Sequence, residues 1–292
     1  MTRRRILLSA WNAPFGGGVT PLILLIGVGA LVIAIGTGLA WLLTAYDFPG
    51  RRVLEWALLL PLAVPTYIIA YAYLDLLHPV GPVQTLIRDS LGLEKPGDLW
   101  FPDIRSMGGC IFLLGCVLYP YVYIPTRAMF MMQAGSVLEV ARTLGASRTR
   151  VYFRVALPLA RPAIAAGASL ALLETLNDIG ASEFLGVQTM SLSIYSTWIN
   201  RSSLAGAAQL ALAMLLIVFV LLWIERAARR RQRFVSTAQR GRPAAAIRLS
   251  GGRAAVALAV ASLPMLFGFL FPAVYLVDNA MRRIGYAGIP AE

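Results

Sequence analysis

Six stretches of the chain are apolar for about the 20 residues that a helix needs to cross a bilayer, and polar residues gather between them. The first, 22–45, has no charge. The second, 53–77, holds Glu55 and Asp75 near its ends and Pro61 and Pro65 inside. Each proline removes a backbone donor, so this span is predicted to kink. The third, 107–132, contains Pro120, Pro125 and one late charge, Arg127. The fourth, 162–184, carries Glu174 and Asp178. The fifth, 204–224, and the sixth, 254–277, are uncharged, the sixth with Pro264 and Pro272 inside it. The pattern predicts an all-α polytopic membrane helix bundle of about six transmembrane helices.

Composition agrees. Of 292 residues, 58% are hydrophobic and 14% charged, against about 25% charged in a soluble domain. The mean hydropathy is +0.71. These values exclude a disordered or collagen-like chain. The net charge of +12 raises nucleic acid as a partner until the arginines are placed. Arg51 and Arg52 follow the first span, Arg142, Arg148, Arg150, Arg154 and Arg161 lie between the third and fourth, and the run from Arg226 to Arg253 follows the fifth. Alternation puts these three loops on one side. The loop after the second span balances Arg88, Lys95 and Arg105 with Asp89, Glu94, Asp98 and Asp103, and the loop after the fourth holds only Arg201. The arginine-rich side is therefore cytoplasmic, which accounts for the charge without nucleic acid.

One segment runs against this alternation. Residues 1–18 open Met-Thr-Arg-Arg-Arg on what would be the external side. The apolar run behind Arg5 is too short for a signal-peptide core. The segment reads as atypical, with a span missing or remodelled at the front. Catalytic chemistry finds little to work with. One His and two Cys make metal-cluster or disulfide chemistry improbable. Cys110 and Cys116 fall on different helix faces and read as small apolar residues. Gly16–Gly18 lack the Lys-Ser/Thr of a phosphate loop. No catalytic set, metal or cofactor is expected, and any ATP must be bound by another subunit.

The loop between the third and fourth spans reads Glu139-Val-Ala141-Arg-Thr-Leu-Gly145, then nine residues, Val155, Ala, Leu157-Pro158. This resembles the EAA loop of binding-protein-dependent ABC importer permeases: Glu-Ala-Ala, three residues, Gly, nine residues, Ile, one residue, Leu-Pro. Val140 and Val155 are mild departures. Glu139–Leu144 reads as a short helix. Gly145 reads as a left-handed turn residue, and a second helix follows that Pro158 breaks. The competing reading is a basic amphipathic loop lying on anionic lipid.

Further segments, among them Tyr46–Arg52, Leu60–Pro65, Trp100–Ser106, Leu118–Tyr123 and Phe184–Thr189, look like the ferric-iron type of these permeases, whose chains usually fuse two halves of about six spans each. The resemblance implies a permease domain over 19–226, a basic cytoplasmic linker over 227–253, and the first span of an incomplete second half over 254–292. It assigns ATPase coupling to Glu139, Ala141, Gly145, Val155, Leu157 and Pro158. It also implies a dimeric cytoplasmic ATP-binding subunit, a periplasmic or lipid-anchored substrate-binding protein, a second permease half and the inner membrane of a bacterium. With one coupling loop in the chain, the sixth span is expected to stand apart while the first five pack.

Glu174 and Asp178 lie four apart, with Asn177 adjacent. Intramembrane acids face a bundle interior or a water-filled path, so the three are candidates for the substrate pathway. The alternative is that they bond neighbouring helices. Asp75 and His78 sit one turn apart at the external end of the second span, but such importers usually capture metal on a separate binding protein. Tyr67, Tyr71, Tyr73, Tyr119, Tyr121 and Tyr123 read as packing and interface aromatics. ABC permeases of this kind also carry thiamine, polyamines or inorganic anions. A secondary transporter or channel using Glu174 and Asp178 as a relay is the rival of another class, ahead of a membrane-embedded enzyme.

Overall fold

The computed structural model describes residues 16–93, 95–132, 145, 147–230 and 246–287. The helices are α1 (Gly16–Ala45), α2 (Arg51–Ala57), α3 (Thr66–Leu76), α4 (Pro82–Leu91), α5 (Met107–Met132), α6 (Arg148–Val151), α7 (Leu157–Asn177), α8 (Gly180–Phe184), α9 (Met190–Ile199), α10 (Leu204–Arg230), α11 (Gly252–Met265) and α12 (Phe271–Ala287). Two-residue strands, β1 (Tyr46–Asp47) and β2 (Ile247–Arg248), pair in parallel. The fold is an all-α polytopic bundle. Among the described residues, five helices are long and apolar enough to span, and the broken second span makes a sixth.

The core is α5 held between α1 and α7. Small residues let helix backbones approach closely in a membrane, where apolar burial gives little drive. A Cβ on Gly36 of α1 would sit 2.8 Å from the Val122 Cβ, and one on Gly167 of α7 would sit 2.4 Å from the Tyr121 carbonyl oxygen. The two glycines therefore clamp one turn of α5 from two sides. Pro120 and Pro125 are accommodated within α5, which stays one helix.

The second span does more than kink. A 3-10 turn at Leu60–Ala63 and the extended Val64 interrupt it. The pieces before and after the break meet at 91°. Broken backbone at membrane depth survives only where freed polar groups find partners. The buried Tyr119 hydroxyl donates to the Leu58 carbonyl at 2.8 Å.

The sixth span contradicts the expectation that it stands apart. It runs from α11 through a π turn at Leu266–Leu270 into α12 and docks on α3 and α5. A Cβ on Gly268 would lie 2.1 Å from the Cys116 carbonyl oxygen. Tyr73 donates to the Phe267 carbonyl at 2.5 Å, and Phe267 meets Phe112 edge-on at 5.6 Å. The π turn leaves that carbonyl available and the glycine allows the approach. The least buried span is the fifth, α10: 6% of its most apolar window is buried, against 22% for the sixth. At the end read as cytoplasmic, β1 and β2 join the loop after the first span to the start of the sixth, with Leu249 N–H donating to the Asp47 carbonyl.

Candidate functional site

The predicted coupling segment is described from its turn onward. Glu139 and Ala141 lie outside the described residues. Gly145 has φ +79°, the left-handed conformation that a Cβ disfavours. It is exposed, and among the described residues no atom lies within 4 Å of where a Cβ would stand. Pro158 does not break the following helix, contrary to expectation. The chain stays helical from Arg148 to Asn177, passing through a π turn at Tyr152–Ala156. Pro158 lies two residues past that π turn, inside the continuous helix, where the irregular turn accommodates the missing N–H. The fourth span is accordingly one long helix that enters the membrane directly from the coupling segment and ends at Asn177, short of the expected 184.

Val155, Leu157 and Pro158 are half-buried, while Arg150, Phe153 and Arg154 are exposed. The segment is braced from within. Tyr152 packs against Trp41 of α1 at 5.2 Å, Trp41 meets Phe130 at 5.6 Å, and the Tyr152 hydroxyl donates to Thr37. Sequence reading missed Trp41 and Tyr152, because nothing in the spacing ties residue 41 to residue 152. The result is a basic, outward-facing surface fixed to the ends of α1 and α5.

The intramembrane acids separate in role. Asp178 ends α7 with extended backbone, φ −69° and ψ 116°. Its Oδ2 accepts from the Thr66 hydroxyl at 2.5 Å. Its Oδ1 accepts from the Ser182 N–H at 3.0 Å and the Ser182 hydroxyl at 3.2 Å. Thr189 donates to its carbonyl, and the Cys110 thiol bonds Ser182. Asp178 thus binds the start of α3, the start of α8 and the outer part of α5 into one joint, the alternative that sequence left open. Glu174 stays exposed and faces Tyr121 of α5.

A cavity of about 270 Å³ opens beside this joint, lined by Thr66, Tyr67, Leu114, Leu118, Glu174, Asn177, Asp178, Ile179 and Gly180. All three predicted pathway residues therefore converge, with the two helix breaks forming its wall. Its lining has two carboxylates and no Lys or Arg. The start of α3, which has no side-chain cap, adds the positive end of a helix dipole. Thr66, Tyr67 and Ser182 were not anticipated; Pro65 marked the break but not what would face it.

Comparison with known proteins gives a consistent picture. Residues 32–234 match the family described as Binding-protein-dependent transport system inner membrane component. The chain is 31% identical over 183 residues to the Putative 2-aminoethylphosphonate transport system permease protein PhnU of Salmonella choleraesuis (strain SC-B67), covering 62% of this chain and 63% of that one. It is 27% identical over 209 residues to the Molybdenum transport system permease protein ModB of Escherichia coli (strain K12), covering 68% and 88%. It is 29% identical over 146 residues to the Probable sulfate transport system permease protein cysT of Chlorokybus atmophyticus, covering 50% and 48%. A bacterial alginate ABC transporter, solved with an alginate pentasaccharide-bound periplasmic protein, shares the fold at TM-score 0.52 and 18% identity, over 74% of this chain and 77% of that one.

Proposed function

Since this chain belongs to the family of binding-protein-dependent transport system inner membrane components, we propose that it is the translocation subunit of an ATP-driven importer with ferric iron as cargo. It is a multi-pass inner-membrane protein and a transport component rather than an enzyme. In the proposed assembly a cytoplasmic ATPase dimer seats on the surface around Gly145 and the Arg148–Asn177 helix. An external binding protein delivers cargo, and a second permease half faces this one across the pathway.

The observation that carries the coupling role is the unbroken helical path from Arg148 to Asn177. It begins just past the left-handed Gly145 and ends at the cavity that holds Glu174, Asn177 and Asp178. A push at the cytoplasmic end moves the cavity wall, because both lie on one rigid element braced by Trp41 and Tyr152. The ferric cargo is supported by the segments that resemble ferric permeases and by the acidic lining. Carboxylate oxygens suit a hard cation, and of the two in the lining the exposed Glu174 is the one not taken up by the Thr66–Ser182 joint. A second reading, an anion as cargo, is favoured by the relatives, which are named for 2-aminoethylphosphonate, molybdenum and sulfate transport; none of these names iron.

The test is uptake into liposomes holding the full transporter, with its ATPase and binding protein. Labelled ferric iron, molybdate, sulfate and 2-aminoethylphosphonate are offered in parallel. ATP-dependent uptake of iron alone supports the ferric reading. Uptake of an anion alone replaces it with the second. Uptake that persists without ATP and without the ATPase overturns the importer reading itself.

A further inference from the structure

Among the described residues, no three His, Cys, Asp or Glu side chains converge anywhere. A metal ion therefore finds a site here only if phenol and amide oxygens help, and one place offers them. Tyr71 and Asp75 stand one turn apart on α3, and Tyr275 and Asn279 stand one turn apart on α12. The docking of the sixth span brings the two pairs together. The Tyr275 hydroxyl donates to Asp75 Oδ2 at 2.6 Å and also bonds Asn279, and Tyr71 stands one turn before Asp75 on the same helix. Two facing helices, each giving an i, i+4 pair, form the geometry from which bundles build metal sites. Every donor is oxygen, the ligand type that hard cations take, and tyrosinate is a known iron ligand. His78 turns away, its Nδ1 accepting from the Val80 N–H.

The location gives the cluster a purpose. It lies at the external end of α3, and Tyr71 and Asp75 are exposed there. Tyr67, Tyr71 and Asp75 fall at four-residue intervals, so they form one stripe along α3. Tyr67, at the inner end, lines the cavity with Glu174. From 67 to 75 the helix rises about 12 Å. A row of oxygen donors thus leads from the outer mouth to the cavity.

We propose that Tyr71, Asp75, Tyr275 and Asn279 form an entry site that takes a hard trivalent cation from the binding protein and passes it along Tyr67 to the cavity, an inference that rests on the ferric reading above. The bonds balance simply. The cation replaces the Tyr275 proton shared with Asp75. Each phenol that ligates releases its proton to water, and no electron moves.

The experiment titrates the full chain in lipid nanodiscs with ferric nitrilotriacetate and follows tyrosinate-to-iron charge transfer in the visible spectrum. The wild type should develop the band. Tyr275→Phe, Tyr71→Phe and Asp75→Asn should each weaken binding at least tenfold, and Tyr195→Phe, on α9, should not. Thermal melts identify any variant that fails to fold, and the Tyr→Phe pair supplies readings that do not depend on Asp75. No band in the wild type, or equal bands in all variants, overturns the entry site. The same variants in the uptake assay keep the two claims apart. Wild-type iron uptake that is unchanged in Tyr71→Phe and Tyr275→Phe removes the entry site and leaves the ferric reading standing. Wild-type uptake of an anion instead of iron removes the ferric reading, and the entry site with it.

Discussion

Two polar clusters tie this bundle together, and they are built to different standards. The outer one is centred on Asp178, whose carboxylate accepts three hydrogen bonds from Thr66 and Ser182. The inner one is centred on Glu55 of α2. It takes Arg127 of α5 at 2.8 Å and Arg51 at 3.2 Å, and Arg51 reaches Asp47 at 3.9 Å. Around that cluster of four, the Tyr123 hydroxyl, the Thr126 hydroxyl and the Arg127 Nε are buried without a partner among the described residues. A buried donor left unpaired costs about 1–3 kcal/mol. The outer joint is therefore complete, and the inner one carries unmet bonds in this conformation. The two clusters thus differ in how fully their polar groups are met.

Breaking the outer joint should have the largest effect. Asp178→Ala removes a charged acceptor and strands Thr66 and the Ser182 N–H. Hydrogen bonds to charged groups are worth about 1.5–3 kcal/mol each, so a loss of about 3 kcal/mol or more is expected in thermal unfolding in detergent. A near-normal melt would show that the joint does not hold α3 to α8. Next comes Glu55→Gln, which leaves Arg127 facing a neutral partner. Its side chains are about one-fifth exposed, 21% and 23%, so the effect should fall between surface and fully buried pairs, about 1–3 kcal/mol. A double-mutant cycle with Arg127→Gln should show coupling between the two, and strict additivity would contradict the ion pair.

Two threonine swaps set the clusters directly against each other. Thr66→Val deletes a hydroxyl that is bonded and should cost about 1.5–3 kcal/mol. Thr126→Val deletes one that is buried and unpaired, and should be neutral or stabilising. Equal losses in both would erase the distinction between the complete cluster and the incomplete one. The smallest stability effect is expected at Glu174, which is exposed beside the cavity. Glu174→Gln should leave the melting temperature within a degree or two, because exposed substitutions shift stability by about 0.5 kcal/mol or less, while ATP-driven uptake changes. A clear fall in stability with unchanged specific uptake would return Glu174 to packing.

Much of the fold was legible in the chain, for reasons that individual residues make plain. The apolar runs marked the spans because length and charge set membrane insertion. Pro61 and Pro65 announced the broken second span, and Gly145 announced its own left-handed turn. What stayed hidden depends on partners far away in sequence. That Asp178 also forms a joint stayed hidden, because Thr66, 112 positions earlier, gives no signal that its hydroxyl will meet it. The fifth and sixth spans are both uncharged and strongly apolar, and lipid is as apolar as either. Gly268 was the informative residue, but what it approaches, the Cys116 carbonyl, is visible only in three dimensions. Pro158 misled because a proline that breaks a helix and a proline accommodated by a π turn inside one look alike in sequence.

In the proposed assembly, ATP hydrolysis in a partner subunit is coupled to this chain through the turn at Gly145. The most direct measurement compares wild type with Gly145→Val in liposomes holding the whole transporter, reading ATP hydrolysis stimulated by loaded binding protein together with cargo uptake. Valine at φ +79° is strained by about 1–3 kcal/mol, and because the site is exposed the turn relieves that strain by changing its own shape, so membrane insertion should stay normal. Stimulated hydrolysis and uptake should fall together. Full stimulation and full uptake in Gly145→Val would contradict this coupling.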